Sequence, residues 1–138
     1  MVISGWNPGN LENLDLPCCH HSYQFWTDGK DVDMLWIQRS GDFMVGVPSD
    51  MIFASIMLAC FANCAALKPR NIKMVIGDAH IYEEHFDNAL KQINSTFYHH
   101  PSNKWSLKPQ EDLYSFEPKD LHIDNYQHNE AIKYELKK

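Results

Sequence analysis

From Cys19 to Trp26 apolar and polar side chains alternate, and Asp28-Gly29-Lys30 supplies the residues of a tight turn. Alternation resumes from Asp31 to Ser40, with Met34, Trp36 and Gln38 on one face and Leu35, Ile37 and Arg39 on the other. A period of two on both sides of an Asp-Gly turn predicts a β-hairpin. Met1-Val2-Ile3-Ser4-Gly5-Trp6 also reads as a strand. Gly41 to Ser49 holds two glycines and a proline and reads as a loop or broken strand. Asp50 then stands where an N-cap belongs, opening a long apolar helix to Leu67 that Pro69 stops. Ile72 to Ile76 is a short apolar strand. Glu83 to Asn94 places Phe86, Leu90 and Ile93 at helical spacing, with two acids in the first turn that suit the macrodipole. Trp105 to Leu107, Leu121 to Ile123 and Ile132 to Leu136 alternate weakly and read as strands between proline-marked turns. The predicted architecture is α+β: a sheet packed on a long, buried apolar helix, in one domain over 1–138.

Two features of that pattern point outward. A chain that starts directly on a strand, with a helix apolar on every side, lacks a covering layer and reads as part of something larger. The apolar run Met51 to Leu67 falls just short of the ~18–20 residues of a bilayer span, and its acidic, amphipathic surroundings favour a buried helix over a membrane. No basic-apolar leader opens the chain, so the four cysteines read as reduced thiols in a cytoplasm. Cys60 and Cys64, one turn apart, read as core packing. Composition agrees with a folded domain: 44 % of the 138 residues are hydrophobic. The net charge of −6, with arginine only at 39 and 70, sets nucleic-acid binding aside.

Three clusters carry candidate chemistry. Cys18-Cys19-His20-His21 invites a zinc reading, but neighbours on a strand point to opposite faces, so at most one Cys and one His converge. The other reading is a nucleophilic thiolate activated by nearby positive charge. Gln38-Arg39-Ser40-Gly41-Asp42 offers a guanidinium and a hydroxyl for a phosphate, or an ordinary Arg-Asp salt bridge. Gly77-Asp78-Ala79-His80-Ile81-Tyr82 puts His80 and Tyr82 on one face, either for a sugar hydroxyl or as the cap of a helix.

Trp6-Asn7-Pro8, Leu16-Pro17-Cys18-Cys19-His20, Gln24-Phe25, Gln38-Arg39-Ser40-Gly41-Asp42, Gly46-Val47-Pro48 and Gly77 to Tyr82 occur in the order seen in the thymidylate synthase family. The chain resembles that family from Met1 to about Lys133. The resemblance implies a thymidylate synthase-like fold, of which this is the C-terminal portion, and 5,10-methylenetetrahydrofolate as cosubstrate. It implies that Cys19, directly before His20, is the nucleophile, with Cys18 at a place where the family has Pro or another small residue. It implies Arg39 and Ser40 for the phosphate, Asp42 for the folate pterin and Gly46 for close backbone approach. His80 and Tyr82 would hold the sugar 3′-hydroxyl, while Gln38 and His20 would support the nucleophile. Cys19, His20 and Asp50 are then the expected catalytic residues. Gln38, Arg39, Ser40, Gly46, Asp50, His80 and Tyr82 are expected on the substrate, and Asp42 on the folate.

Asp50 stands where thymidylate synthases carry a base-reading Asn. An amide matches uracil, whose O4 accepts and whose N3–H donates; a carboxylate accepts from the N4 amino group of cytosine and shares a proton with its N3. An aspartate here resembles the deoxycytidylate hydroxymethylases, which make 5-hydroxymethyl-dCMP. The expected activity is therefore dCMP hydroxymethylation. A thymidylate synthase or hydroxymethylase acting on dUMP, and a non-catalytic subunit, are the alternatives. The charged tail Tyr134-Glu135-Leu136-Lys137-Lys138 suits a wetter site. With two arginines the chain alone cannot build the family's multi-arginine phosphate site. The expected partners are a separately encoded N-terminal half and a second copy of the assembled unit, a homodimer with neither membrane nor nucleic acid. Such splitting, with cytosine modification, suits a bacteriophage.

Overall fold

The computed structural model describes residues 1–96 and 104–136. Strands β1 (Val2–Ser4), β2 (His20–Thr27), β3 (Asp31–Asp42) and β4 (Lys68–His80) form a four-stranded sheet in that order. The first three pair antiparallel, whereas β4 runs parallel to β3. A parallel neighbour needs a crossover, and helix α1 (Gly46–Cys64) supplies it. Helix α2 (Phe86–Asn94) follows a single 3-10 turn, Glu83–His85. A separate antiparallel pair joins β5 (Lys104–Leu107) to β6 (Leu121–Asp124).

The hairpin is where alternation predicts it. Gly29 takes φ +90°, the left-handed region open to glycine, and Asp28 Oδ1 accepts from the Lys30 and Asp31 amides at 3.0 and 2.8 Å. On β3, Val32, Met34 and Trp36 point at α1, which answers with Ala54, Leu58 and Ala62, spaced four apart on one side. Tyr23 and Phe25 of β2 complete this core. The alanines let the helix come close to the sheet, and Trp36 is fully buried between them.

Four expectations need correction. The helix starts at Gly46, with Val45 rather than Asp50 at the cap position. Pro48 lies in the first turn, where amide hydrogens have no helical partner, so it does not break the helix. The helix ends at Cys64, three residues early, where Ala66 adopts φ 54°. Pro69 sits inside β4, tolerated because β4 is an edge strand. Ile132 to Leu136 forms no strand. The Lys133 and Glu135 carbonyls accept instead from Asn88 Nδ2 and His85 Nε2, both at 3.0 Å, and Tyr134 Oη donates to Gln92 Oε1 at 2.8 Å. His85, Asn88 and Gln92 thus strap an extended segment along α2; Lys137 and Lys138 lie outside the described residues.

The apolar helix is buried only on the side that meets the sheet. Met51, Ile52 and Phe53 are each more than half exposed, Cys60 is half-buried and Cys64 is exposed. At 19 residues it is also long and apolar enough, by length and composition, to cross a membrane, contrary to the expectation of a run just too short. Beside it lies an apolar groove of about 640 Å³, walled by Met51, Ile52 and Leu58 of α1 and by Trp105, Leu107 and Ile123 of the β5–β6 pair.

Candidate active site

The start of β2 and the ends of β3 and β4 meet at one end of the sheet. His20 pairs with Gln38, Ser40 with Asp78 and Asp42 with His80. The register slips between His20 and Ser22, and this bulge re-aims the residues just before it. Cys19 lies in front of the bulge, its carbonyl accepting from the Arg39 amide at 2.8 Å. Its half-buried Sγ is 3.8 Å from Arg39 Nη2, which also donates to the Pro17 carbonyl at 2.6 Å. Cys18 points elsewhere, toward the Gly5 carbonyl at 3.6 Å. Arg39 Nε is buried and, among the described residues, has no hydrogen-bond partner.

Ser40 Oγ donates to Asp78 Oδ2 at 3.2 Å, so its hydroxyl must turn to serve a phosphate. The Arg39–Asp42 salt bridge considered above does not form: Asp42 Oδ1 accepts from the Met44 amide at 2.9 Å, leaving Oδ2 available. His80 and Tyr82 do share a face, edge to face with ring centroids 5.1 Å apart, and His80 Nδ1 lies 3.3 Å from Asp78 Oδ2. Tyr82 does hold the N-cap position of the 3-10 turn, its carbonyl accepting from the His85 amide at 2.9 Å, but its side chain makes no cap bond.

Asp50 lies one turn into α1. Its Oδ2 accepts from Gln38 Nε2 at 3.3 Å, and Gln38 Oε1 accepts from Trp36 Nε1 at 2.6 Å. Nearby, the His20 ring packs against Trp36 and Phe53, and its Nδ1 shares a 2.5 Å hydrogen bond with the Tyr23 hydroxyl. Burial first, then the neighbouring Cys18 and Asp50, push the Tyr23 phenol above its ordinary range. Tyr23 and Trp36 were legible in the sequence only as core residues of the hairpin; nothing in their spacing marks their polar atoms.

Two glycines allow this convergence. A Cβ on Gly77 would sit 2.8 Å from the Arg39 carbonyl, and one on Gly41 would sit 2.7 Å from Gln38 Nε2 and 2.8 Å from Val47 Cγ2. Gly46, by contrast, has nothing beyond its own turn of helix within 4 Å of its Cβ position, so the space there is open. Among the described residues no group of three or more His, Cys, Asp or Glu side chains could hold a metal ion.

The family model for thymidylate synthase matches residues 1–138. A thymidylate synthase of Mycoplasma pneumoniae is 32% identical over 136 residues, covering 99% of this chain and 47% of that protein. Among solved structures, thermostable thymidylate synthase A from Bacillus subtilis superposes with a TM-score of 0.88 at 24% identity, over 98% of this chain and 48% of that one. The fold is therefore that of a thymidylate synthase, and the chain spans about half the length of these relatives.

Proposed function

Since the chain belongs to the thymidylate synthase family, we propose that it carries the nucleophile and the base-reading carboxylate of an enzyme that hydroxymethylates C5 of dCMP. The observation that supports this most is the placement of the Cys19 thiol 3.8 Å from the Arg39 guanidinium, at the sheet end where Gln38 holds Asp50. C5 of a pyrimidine is a weak nucleophile. Addition of the Cys19 sulfur to C6 gives C5 enolate-like character, so that it attacks the one-carbon unit. C5 then loses its proton, tetrahydrofolate leaves to give an exocyclic methylene, and water adds its hydroxyl to that carbon, releasing a proton, as the same sulfur leaves C6 and restores the ring. Arg39 and Ser40 take the phosphate, and His80 with Tyr82 takes the sugar 3′-hydroxyl. Asp50 accepts from the cytosine N4 amino group and shares a proton with N3, which lets the ring take up charge as sulfur adds. A uracil O4 would face a carboxylate oxygen with no proton between them, a mismatch worth several orders of magnitude in a dry site.

5,10-Methylenetetrahydrofolate, as cosubstrate, supplies the one-carbon unit. The residues here fit it: Asp42 keeps one carboxylate oxygen available for an amino-pyrimidine edge, and the backbone at Gly46 borders open space. Arg39 is the single arginine at the site, because Arg70 is bound to aspartates at the far end of the sheet. Further phosphate-binding cations must then come from another polypeptide segment. We assign that role to a separate N-terminal half in a cytoplasmic enzyme that dimerises as an assembled unit. A second reading, methyl transfer to dUMP, is favoured by the names of the relatives, both thymidylate synthases.

Tritium release from C5 of labelled dCMP and dUMP, measured on the chain in its native assembly, separates the readings. Faster release from dCMP, lost at least roughly 10³-fold in Cys19→Ser, is the expected result. Faster release from dUMP transfers the assignment to the second reading. Full activity in Cys19→Ser removes the nucleophile, and no turnover from either nucleotide makes the chain a non-catalytic subunit.

A further inference from the structure

We propose that the Trp36–Gln38 pair decides which atom of residue 50 faces the pyrimidine, making Gln38 a positioning residue for base selection. The inference rests on the reading that Asp50 meets the base. Its starting point is that indole nitrogen only donates. Trp36 Nε1–H, fully buried, must find an acceptor and finds Gln38 Oε1 at 2.6 Å. That bond fixes which end of the Gln38 amide is oxygen. The NH₂ end is then committed: one proton goes to the Ser40 carbonyl at 3.0 Å and the other to Asp50 Oδ2 at 3.3 Å. Gln38 is 1% exposed, so water does not compete for either bond. Gly41 keeps the slot open, since a Cβ there would strike Gln38 Nε2. Gln38 therefore has no amide proton left to offer a nucleotide, and its influence passes through residue 50.

A donor presented to one side of residue 50 has a directional consequence. With Asp, the engaged oxygen is Oδ2, so the ionised carboxylate turns Oδ1, an acceptor, to the base, where it meets the cytosine N4 amino group. With Asn, the same donor claims the amide oxygen and turns the NH₂ outward, where it meets an acceptor such as uracil O4. One atom exchanged at position 50 thus inverts the pattern shown to the ring, because the Trp36–Gln38 pair forbids the half-turn that would undo it. Without the pair an asparagine head is free to present either end.

The test is the ratio of kcat/KM for dCMP over dUMP in the native assembly. It is measured for the wild type, Gln38→Leu, Asp50→Asn, the double variant, and Trp36→Phe combined with Asp50→Asn. Asp50→Asn should shift the ratio toward dUMP by on the order of 10²-fold or more. Adding Gln38→Leu should return the ratio to within about 3-fold of unity, and adding Trp36→Phe, which keeps the ring and removes only the donor, should move it the same way by about 10-fold. A structural role alone would lower kcat/KM for both nucleotides in proportion. A ratio that stays inverted in both combined variants overturns the proposal while leaving Asp50 as the reader. A ratio unmoved by Asp50→Asn itself overturns both.

Discussion

Gly77 and Gly46 divide sharply. Gly77→Ala drives a methyl into the Arg39 carbonyl and so wedges β3 from β4; the expected loss is about 1–3 kcal/mol of stability, read by urea unfolding. Gly46→Ala meets nothing beyond its own turn of helix and should leave the unfolding midpoint unchanged or slightly raised. If its open space serves a ligand, the same variant should weaken folate or nucleotide binding without touching stability. Tyr23 makes a further prediction. In an alkaline absorbance titration its phenol should ionise later than an exposed tyrosine, and Tyr23→Phe should remove that late component. At this scale the sequence was informative where chemistry shows in residue type: Cys19 before His20, Arg39 before Ser40. It was silent on Gly41 and Gly77, whose demand is a distance between strands, and on Trp36, whose indole hydrogen matters only because Gln38 faces it.

Elements were legible where a period ran undisturbed, as in the hairpin, and misread where local signals were stronger than they are in place. Pro48 and Gly46 mimic a loop, but in a first helical turn neither costs a hydrogen bond. Ile132 to Leu136 alternates as a strand does, yet its carbonyls are taken by α2 side chains, an outcome that no local pattern encodes. The β2–β3 turn carries its own test. Arg70 donates to Asp28 and to both oxygens of Asp33, and lies 3.5 Å from Asp31. Backbone amides of Asp31 and Lys30, then Arg70, hold the Asp28 carboxyl at about 2, and Arg70 first of all depresses Asp33. Carboxyls depressed in the folded state add stability that is complete above the unfolded value near 4 and is lost as pH falls toward about 2. The urea midpoint of the wild type should therefore drop across that window. In Arg70→Gln the drop should shrink, and Asp33 should recover more of its ordinary titration than Asp28. In the core, Leu58→Ala should cost about 2–5 kcal/mol.

For the whole molecule, the exposed side of α1 and the groove beside it present apolar side chains to solvent. Isolated chain should bind a hydrophobic dye through this surface, and Ile52→Lys with Phe53→Lys should lower that signal while the sheet-facing core stays intact. Assembly with the proposed N-terminal half should quench it likewise. The exposed apolar side of α1 was legible in the sequence, because a helix without a polar side has only apolar residues to turn to solvent. The groove was not, since it is made by the β5–β6 pair arriving from some fifty residues away.

The parallel ladder between β3 and β4 has a kinetic corollary. The segment carrying α1 must cross over for β3 and β4 to pair, so the ladder that brings Arg39 beside Gly77 closes a long loop and carries its entropy cost. Amides of β3, β4 and the first turns of α1 should exchange with deuterated water as one cooperative unit. An opening of that unit would part Arg39 and Ser40 from Asp50 in one step.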